Sequence, residues 1–524
     1  MVRIAFLVYF LIGTSSFSQS LDKPNIVYVI CDDLGYGDVQ CLNPKGGKIP
    51  TPHVDRLASD GMTFTDAHSG SSVCTPTRYG LLTGRYSWRT KLQKGVVTGF
   101  APCLISQDRP TVATFLQDNG YHTAIIGKWH LNFRYLDPTS GDEYAKGKYK
   151  SPPVGAKIPD GPVHRGFDYF HGFHHARNME AVIINDQVVK HEDPINMLPR
   201  LTRESVKYIE SRKDKKKPFF LYVPLGSPHT PILPTKKWQG KSGLGAYGDF
   251  VMETDHVMGE IRKALKATGQ DKNTLIIFTS DNGCSKAANI PDLAKQGHKV
   301  SANLRGSKAD LWDGGHRIPF IVKWPGRVKA GSQSDQLICL TDLFSTVGEI
   351  IGVKVPSGSC EDSVSFLPAL SGKKIKTSRK GVVHHSYSGH FAYRMGKWKL
   401  LLAKASGGWT SPKENQVKEG APNAQLYNMD MDIGEPFEEI LDSSAGLAYD
   451  IGDRGSALDQ TFSTGTTDTD MEMEDEVSTA KAKQTPLEDK ASAAFSNLVE
   501  KSNEENPKEE AKSIWLSCCA GRSP

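Results

Sequence analysis

No apolar run in this chain reaches the ~20 residues needed to cross a bilayer. No Cys-x-x-Cys pair and no zinc-ligand spacing occur among its nine cysteines, at 31, 41, 74, 103, 284, 339, 360, 518 and 519, so no zinc module is encoded. The odd count leaves at least one thiol unpaired within the chain. Export would permit disulfides, but spacing leaves their connectivity open. No Asn-x-Ser/Thr acceptor occurs anywhere, which fits bacterial export better than a glycosylated secreted or lysosomal eukaryotic protein. A dense Lys/Arg stripe interleaved with aromatics is also missing. The 64 basic and 59 acidic residues leave a charge of +5, too small an excess for nucleic acid to be the expected partner. The short run Lys215-Lys216-Lys217 reads as a solvated loop.

What is present is the composition of a soluble globular protein, 38% hydrophobic and 23% charged. That balance excludes collagen, coiled coil, a multi-span membrane protein and wholesale disorder. The length allows roughly two to four domain-sized units. Residues 1–18 read as a cleavable leader. Arg3 precedes an apolar stretch over 4–12, and Ser16 and Ser18 form a small-x-small site, with the mature chain starting near Gln19. The expected location is periplasmic or secreted, without stable membrane insertion.

Apolar strand patterns alternate with amphipathic helices through most of the chain. Strands are predicted over 25–30, 123–129, 219–224, 274–279 and 319–323. Several are continuous apolar runs, as in strands covered on both faces. Helices are predicted over 111–119, with Gly120 as its C-terminal stop, over 249–268 and over 341–351. This order predicts an α/β fold with a mostly parallel central sheet flanked by helices. After about residue 375 the pattern changes to short β-rich runs over 382–387, 390–394 and 398–402, which read as antiparallel hairpins. The expected organisation is a catalytic domain over 19–375 and a smaller domain over 376–524. Within the latter, residues 443–485 are polar and acidic and read as a mobile insertion. A helical pattern resumes near Leu487.

In open α/β sheets ligands gather at the carboxyl ends of strands, and three predicted strands end in reactive groups. The first runs into Asp32-Asp33-Leu34-Gly35, another into Asp281-Asn282-Gly283, and a third into Lys128-Trp129-His130. If the first two are parallel neighbours, three carboxylates and an amide converge. Such a cluster repels itself unless a cation sits within it, and hard oxygens suit Ca²⁺ or Mg²⁺ better than zinc. Lys128 and His130, two apart on a strand, would share a face. Cys74 precedes Pro76 at a predicted helix start, a position that favours anions and lowers a thiol pKa.

Two stretches carry a resemblance. Cys74-Thr75-Pro76-Thr77-Arg78 is followed by Leu82-Thr83-Gly84-Arg85, and Gly120-Tyr121-His122-Thr123-Ala124-Ile125-Ile126-Gly127-Lys128-Trp129-His130 comes later in the expected order. Together they resemble both signatures of the formylglycine-dependent sulfatases, within the alkaline-phosphatase-like superfamily. The resemblance runs from about Pro24 to Val353, then more loosely through Gln425-Leu426-Tyr427-Asn428. It implies one Ca²⁺ held by Asp32, Asp33, Asp281 and Asn282, joined by the formylglycine that a maturation enzyme makes from Cys74. It implies that Arg78 holds that group, and that Lys128 and Lys308 bind sulfate. His130 lies beside the aldehyde hydrate. His229, in Ser227-Pro228-His229-Thr230, is the second histidine.

The implied chemistry is hydrolysis of a sulfate monoester. One hydroxyl of the hydrated aldehyde attacks sulfur, with Asp281 accepting its proton and His229 protonating the departing alcohol. The second hydroxyl, deprotonated by His130, expels sulfate. Carbohydrate sulfates are the expected substrates, aryl sulfates the alternative. A phosphonate or phosphodiester hydrolase of the same superfamily is the runner-up, and a non-catalytic binding protein the reading from another class. A sugar-sized cleft would be lined by His174, His175, Arg177, Asn178, Trp409 and the His164-Arg165 loop. One departure is Ala176, which falls where the family often has a serine. The acidic segment is another.

Overall fold

The computed structural model of the protein describes residues 23–144, 151–377 and 379–435. The expected leader, the acidic segment and the helical pattern from Leu487 lie outside these residues.

Twelve strands precede residue 340: β1 (Asn25–Asp32), β2 (Met62–Phe64), β3 (Ala67–His68), β4 (His122–Lys128), β5 (Tyr169–Phe173), β6 (Ala181–Ile184), β7 (Gln187–His191), β8 (Phe219–Pro228), β9 (Thr274–Ser280), β10 (Phe320–Lys323), β11 (Ser332–Ser334) and β12 (Ile338–Cys339). Ten of them form one sheet in the order β11-β2-β10-β9-β1-β8-β4-β5-β6-β7. The central run β9-β1-β8-β4-β5 is parallel throughout, while β10, β6 and β7 join antiparallel. The helices that cover it include α1 (Pro52–Ser59), α2 (Cys74–Thr83), α3 (Val112–Asp118), α4 (Met197–Ser211) and α5 (Gly245–Ala267).

Alternation along β1 shows how the core divides. Ile26, Tyr28 and Ile30 face one cluster with Leu81 and Leu82 of α2 and Phe115 of α3. Val27, Val29 and Cys31 face the other, with Leu57 of α1, Leu201 of α4 and Ile261 of α5. All six β1 residues are fully buried. A strand covered on both faces reads as one apolar run, which is why these strands were legible.

The small domain is a four-stranded antiparallel sheet, β13 (Val382–His385), β14 (Phe391–Met395), β15 (Trp398–Leu401) and β16 (Gln425–Asn428). Buried charges dock it onto the large sheet. Lys399 of β15 donates to Asp313 Oδ1 and Glu435 Oε1, both at 2.6 Å, and to the Leu311 carbonyl at 2.7 Å. Arg394 of β14 reaches Asp66 Oδ2 at 3.1 Å. Asp66 also holds His68 Nε2 at 2.8 Å, and His316 stacks on His384 of β13 with ring centroids 3.9 Å apart. The seven described cysteines are unpaired, so no disulfide forms among them. Among the described residues no helix is long and apolar enough to cross a membrane.

Candidate active site

The carboxyl ends of four parallel strands meet at one edge. β1 ends in Asp32, and Asp33 follows with φ +66°, a left-handed turn that swings its carboxylate back toward the sheet. β4 ends in Lys128, β8 leads into His229, and β9 into Asp281 and Asn282. The register Cys31↔Ser280 sets the two acidic turns side by side, meeting the condition on which the sequence reading rested. Helix α2 opens at Cys74 itself, with Val73 as its N-cap.

Three carboxylates and three cations interlock here. Lys128 Nζ lies 2.6 Å from Asp32 Oδ2. Lys308 Nζ lies 2.6 Å from Asp33 Oδ1 and 3.5 Å from Cys74 Sγ. Arg78 donates to Asp281 Oδ2 from Nε at 3.0 Å and Nη2 at 2.8 Å. Asn282 Nδ2 donates to Asp33 Oδ1 at 2.8 Å, and His229 Nε2 stands 3.6 Å from Asp33 Oδ2. Asp32 Oδ1 and Asn282 Oδ1 are buried without a hydrogen-bond partner. Ligand atoms of Asp32, Asp33, Cys74 and His229 lie within 4.8 Å of one another. Two partnerless oxygens amid three carboxylates could hold a hard cation.

The electrostatics follow from burial and neighbours. Burial pushes Asp32 up, yet Lys128, His229, Arg78 and Lys308 pull it well below the usual carboxylate range. Asp281 goes the other way. Burial, with the charges of Asp32 and Asp33, raises it to about 7 against Arg78. Burial holds His130 well below its usual value, assisted by Lys128. It lowers His229 as well, opposed by Asp33 and Asp32. The helix-start argument predicted an acidified thiol at Cys74. The structure corrects this: burial raises it to about 12, and Lys128 and Lys308 only moderate the rise.

The expected catalytic and metal-ligand residues lie in this one region, but not all in the expected way. β4 stops at Lys128, and His130 takes φ +55°, so the shared-face argument for Lys128 and His130 does not hold. His130 is placed instead by Thr75 Oγ1 on its carbonyl at 3.1 Å and by Nε2 on the Val97 carbonyl at 2.9 Å. With that nitrogen donating, Nδ1 is left as a buried acceptor without a partner. The sequence argument missed Thr75 and the loop around Val97, although Thr75 lies inside the Cys-x-Pro-x-Arg stretch.

Of the expected cleft residues, His175 stays near the centre, its ring 4.5 Å from His130. His174 is fully buried against Phe133, with ring centroids 4.8 Å apart. Asn178 Oδ1 accepts from the His175 amide at 3.0 Å and so shapes the loop. The His164-Arg165 segment is a correction, because it sits at the amino ends of the strands, opposite the site. Asp168 pairs there with Thr123 at the start of β4, and Arg165 Nε donates to the Ile105 carbonyl at 2.8 Å.

A mostly parallel sheet with an oxygen-rich, cation-lined centre at its carboxyl edge is the architecture of an alkaline-phosphatase-like hydrolase of ester anions. The family model Sulfatase matches residues 24–353, and that of N-sulphoglucosamine sulphohydrolase, C-terminal, matches 307–402. An N-acetylgalactosamine-6-O-sulfatase of Bacteroides thetaiotaomicron is 31% identical over 80% of this chain and 89% of its own. A B. thetaiotaomicron structure from work on the metabolism of multiple glycosaminoglycans superposes with TM-score 0.68 and 28% identity, covering 79% of this chain and 95% of that one. The crystal structure of Ps i-CgsB in complex with k-i-k-neocarrahexaose gives 0.65 and 26%, over 81% and 90%. The chain belongs to the sulfatase family, and its activity is that of a sulfuric ester hydrolase.

Proposed function

We propose that the protein is an exported, calcium-dependent sulfatase that hydrolyses carbohydrate sulfate monoesters with a formylglycine hydrate made from Cys74. The observation that carries this is the position of Cys74 Sγ, 3.5 Å from Lys308 Nζ and within 4.8 Å of ligand atoms of Asp32, Asp33 and His229, in a site where the Asp32 and Asn282 Oδ1 atoms are buried without partners. That donor set fits Ca²⁺, held by Asp32, Asp33, Asp281 and Asn282 with residue 74 at its edge. When bound, Ca²⁺ supplies positive charge that offsets the ester anion and the charge developing on it.

The chain's own residues do the rest. Lys128 and Lys308 neutralise the sulfate oxygens. Arg78, fixed by its two hydrogen bonds to Asp281, holds residue 74 and the charge that grows there. Asp281 accepts the proton of the attacking hydroxyl. His130, with its bare Nδ1, takes the proton of the second hydroxyl as sulfate leaves. His229 protonates the departing alcohol from Nε2; burial disfavours the charged imidazole this needs, and the neighbouring Asp33 and Asp32 carboxylates work against that penalty.

The leader over 1–18 directs export, and a maturation enzyme reads Cys74-Thr75-Pro76-Thr77-Arg78. The catalytic domain takes 19–375 and the smaller domain 376–524. Carbohydrate substrates are supported by the sulfated-sugar specificity in the name of the relative at 31% identity.

The test joins two measurements on purified protein. Peptide mass spectrometry should find a carbonyl in place of the thiol at residue 74. The same preparation should cleave 4-nitrophenyl sulfate but not 4-nitrophenyl phosphonate or phosphodiester analogues. Full turnover with an unmodified thiol, or a preference for the phosphorus esters, defeats the proposal.

A further inference from the structure

The backbone of Tyr387 joins two loops that flank residue 74. Its amide donates to the Ala309 carbonyl at 3.1 Å, next to Lys308. Its carbonyl accepts from the Gly95 amide at 2.8 Å, two residues before Val97, on which His130 rests. Tyr387 therefore stands on the rim of the site, and 37% of it is exposed. Half-buried Trp409 lies beside it, ring centroids 5.2 Å apart and planes tilted by 53°. The Trp409 amide is held by Asp310 Oδ1 at 2.8 Å, two residues from Lys308. Backbone bonds fix both aromatic residues, which leaves ring surface available.

Two cations border the pair. Lys286 Nζ sits 5.2 Å from the Trp409 ring centroid. Lys94 is exposed, its Cβ near Gly389, two residues from Tyr387. Neither lysine has an ion-pair partner among the described residues. Aromatic faces suit the apolar C–H faces of a sugar ring, and unpaired ammonium groups suit a sulfate or carboxylate on that sugar.

We propose that Tyr387 and Trp409, flanked by Lys286 and Lys94, form a second subsite. It takes the sugar next to the sulfated one in an anionic glycan, so the enzyme acts on oligosaccharides rather than on isolated monosaccharides. This rests on the sulfate-ester reading above and adds the length of the substrate to it.

The experiment compares the matured full chain with Trp409→Ala, Trp409→Tyr and Lys286→Ala. The probes are 4-nitrophenyl sulfate, N-acetylgalactosamine-6-sulfate and sulfated tetrasaccharides prepared from chondroitin 6-sulfate, heparan sulfate and carrageenan. The wild type should prefer at least one tetrasaccharide over the monosaccharide. Trp409→Ala should lower kcat/KM on that tetrasaccharide by about fivefold to tenfold, chiefly through KM, with 4-nitrophenyl sulfate unaffected. Trp409→Tyr should restore most of the loss. Lys286→Ala should cost less, and its effect should fade at high salt. Equal losses on the aryl sulfate would make Trp409 a structural residue and overturn the subsite. A wild type that cleaves the aryl sulfate but prefers none of the tetrasaccharides overturns it as well, leaving the sulfatase reading intact. Failure to cleave the aryl sulfate counts against that reading itself.

Discussion

His229 and Arg78 show how differently two residues of one site respond to loss. In the proposed mechanism His229 serves the leaving group, so its worth depends on how badly that group needs a proton. Sugar alcohols need one and nitrophenols hardly do. His229→Ala should lose ~100-fold or more in kcat/KM on a sugar sulfate and much less on 4-nitrophenyl sulfate. Equal losses would leave His229 as a sulfate-positioning group. Arg78 is fully buried, and its removal strands Asp281. Arg78→Ala should destabilise the calcium-free protein by about 3–5 kcal/mol, read as a fall in denaturant midpoint. At this scale the sequence was informative because the reactive residues lie within contiguous stretches. Thr75, Tyr387 and Asp310 escaped it because they act through backbone contacts that no local pattern records.

Among the elements, buried strands were the most legible and helix starts the least. Helix α5 was expected to begin at Asp249, yet it begins at Gly245. Asp249 does not open it. Its carboxylate accepts from the Gly240 and Ser242 amides and holds the preceding loop. Tyr247 in the first turn instead reaches Asp38 Oδ2 at 2.5 Å, a tertiary bond invisible to periodicity. β6 and the edge strand β7 lacked a long apolar run and were not foreseen. Where the small sheet meets the large one, a pH dependence is built in. Burial raises Asp66, but the hydrogen bond from His68 and the charges of Arg317 and Arg394 bring it down to about 2. A carboxylate depressed in the fold adds stability above its unfolded pKa, and that stability fades as pH falls through the folded one. Asp66 should thus contribute on the order of 2 kcal/mol above about pH 4, lost between about pH 4 and pH 2. Asp66→Asn should flatten the acid limb of the stability curve over that window. An unchanged limb would place the acid sensitivity elsewhere.

For the whole molecule, the bare oxygens of Asp32 and Asn282 predict that folding and metal binding are linked. Adding Ca²⁺ at a hundredfold excess over its Kd should stabilise the fold by about 2.7 kcal/mol. Thermal unfolding with and without chelator reads this directly, and Asp32→Asn should shrink the difference. An identical melting temperature in both conditions would remove calcium from the site. The small domain matters equally at this scale. The Ser406 carbonyl accepts from the Leu311 amide, and the backbone amides of Trp409 and Thr410 hold Asp310, so main chain from late in the sequence, whatever its side chains, holds the loop that carries Lys308. A chain stopped after Ile375 should keep the large sheet yet lose sulfate turnover, checked by circular dichroism beside an activity assay.

The burial of Cys74 sets a schedule. With 2% of its surface exposed and its thiol pushed up to about 12, residue 74 is out of reach once α2 has docked against the sheet. A second protein can grip the Cys74–Arg78 stretch only while it is still extended, on a nascent or unfolded chain. Under the maturation proposed above, molecules that fold first should stay unmodified, however long they share a compartment with the modifying enzyme. Two populations should therefore coexist in any overproducing cell, alike in melting behaviour and hydrodynamic size but unequal in activity. Their ratio would be decided by the race between folding and modification, and slowing the fold, by lower temperature or a destabilising substitution far from the site, should raise the active share.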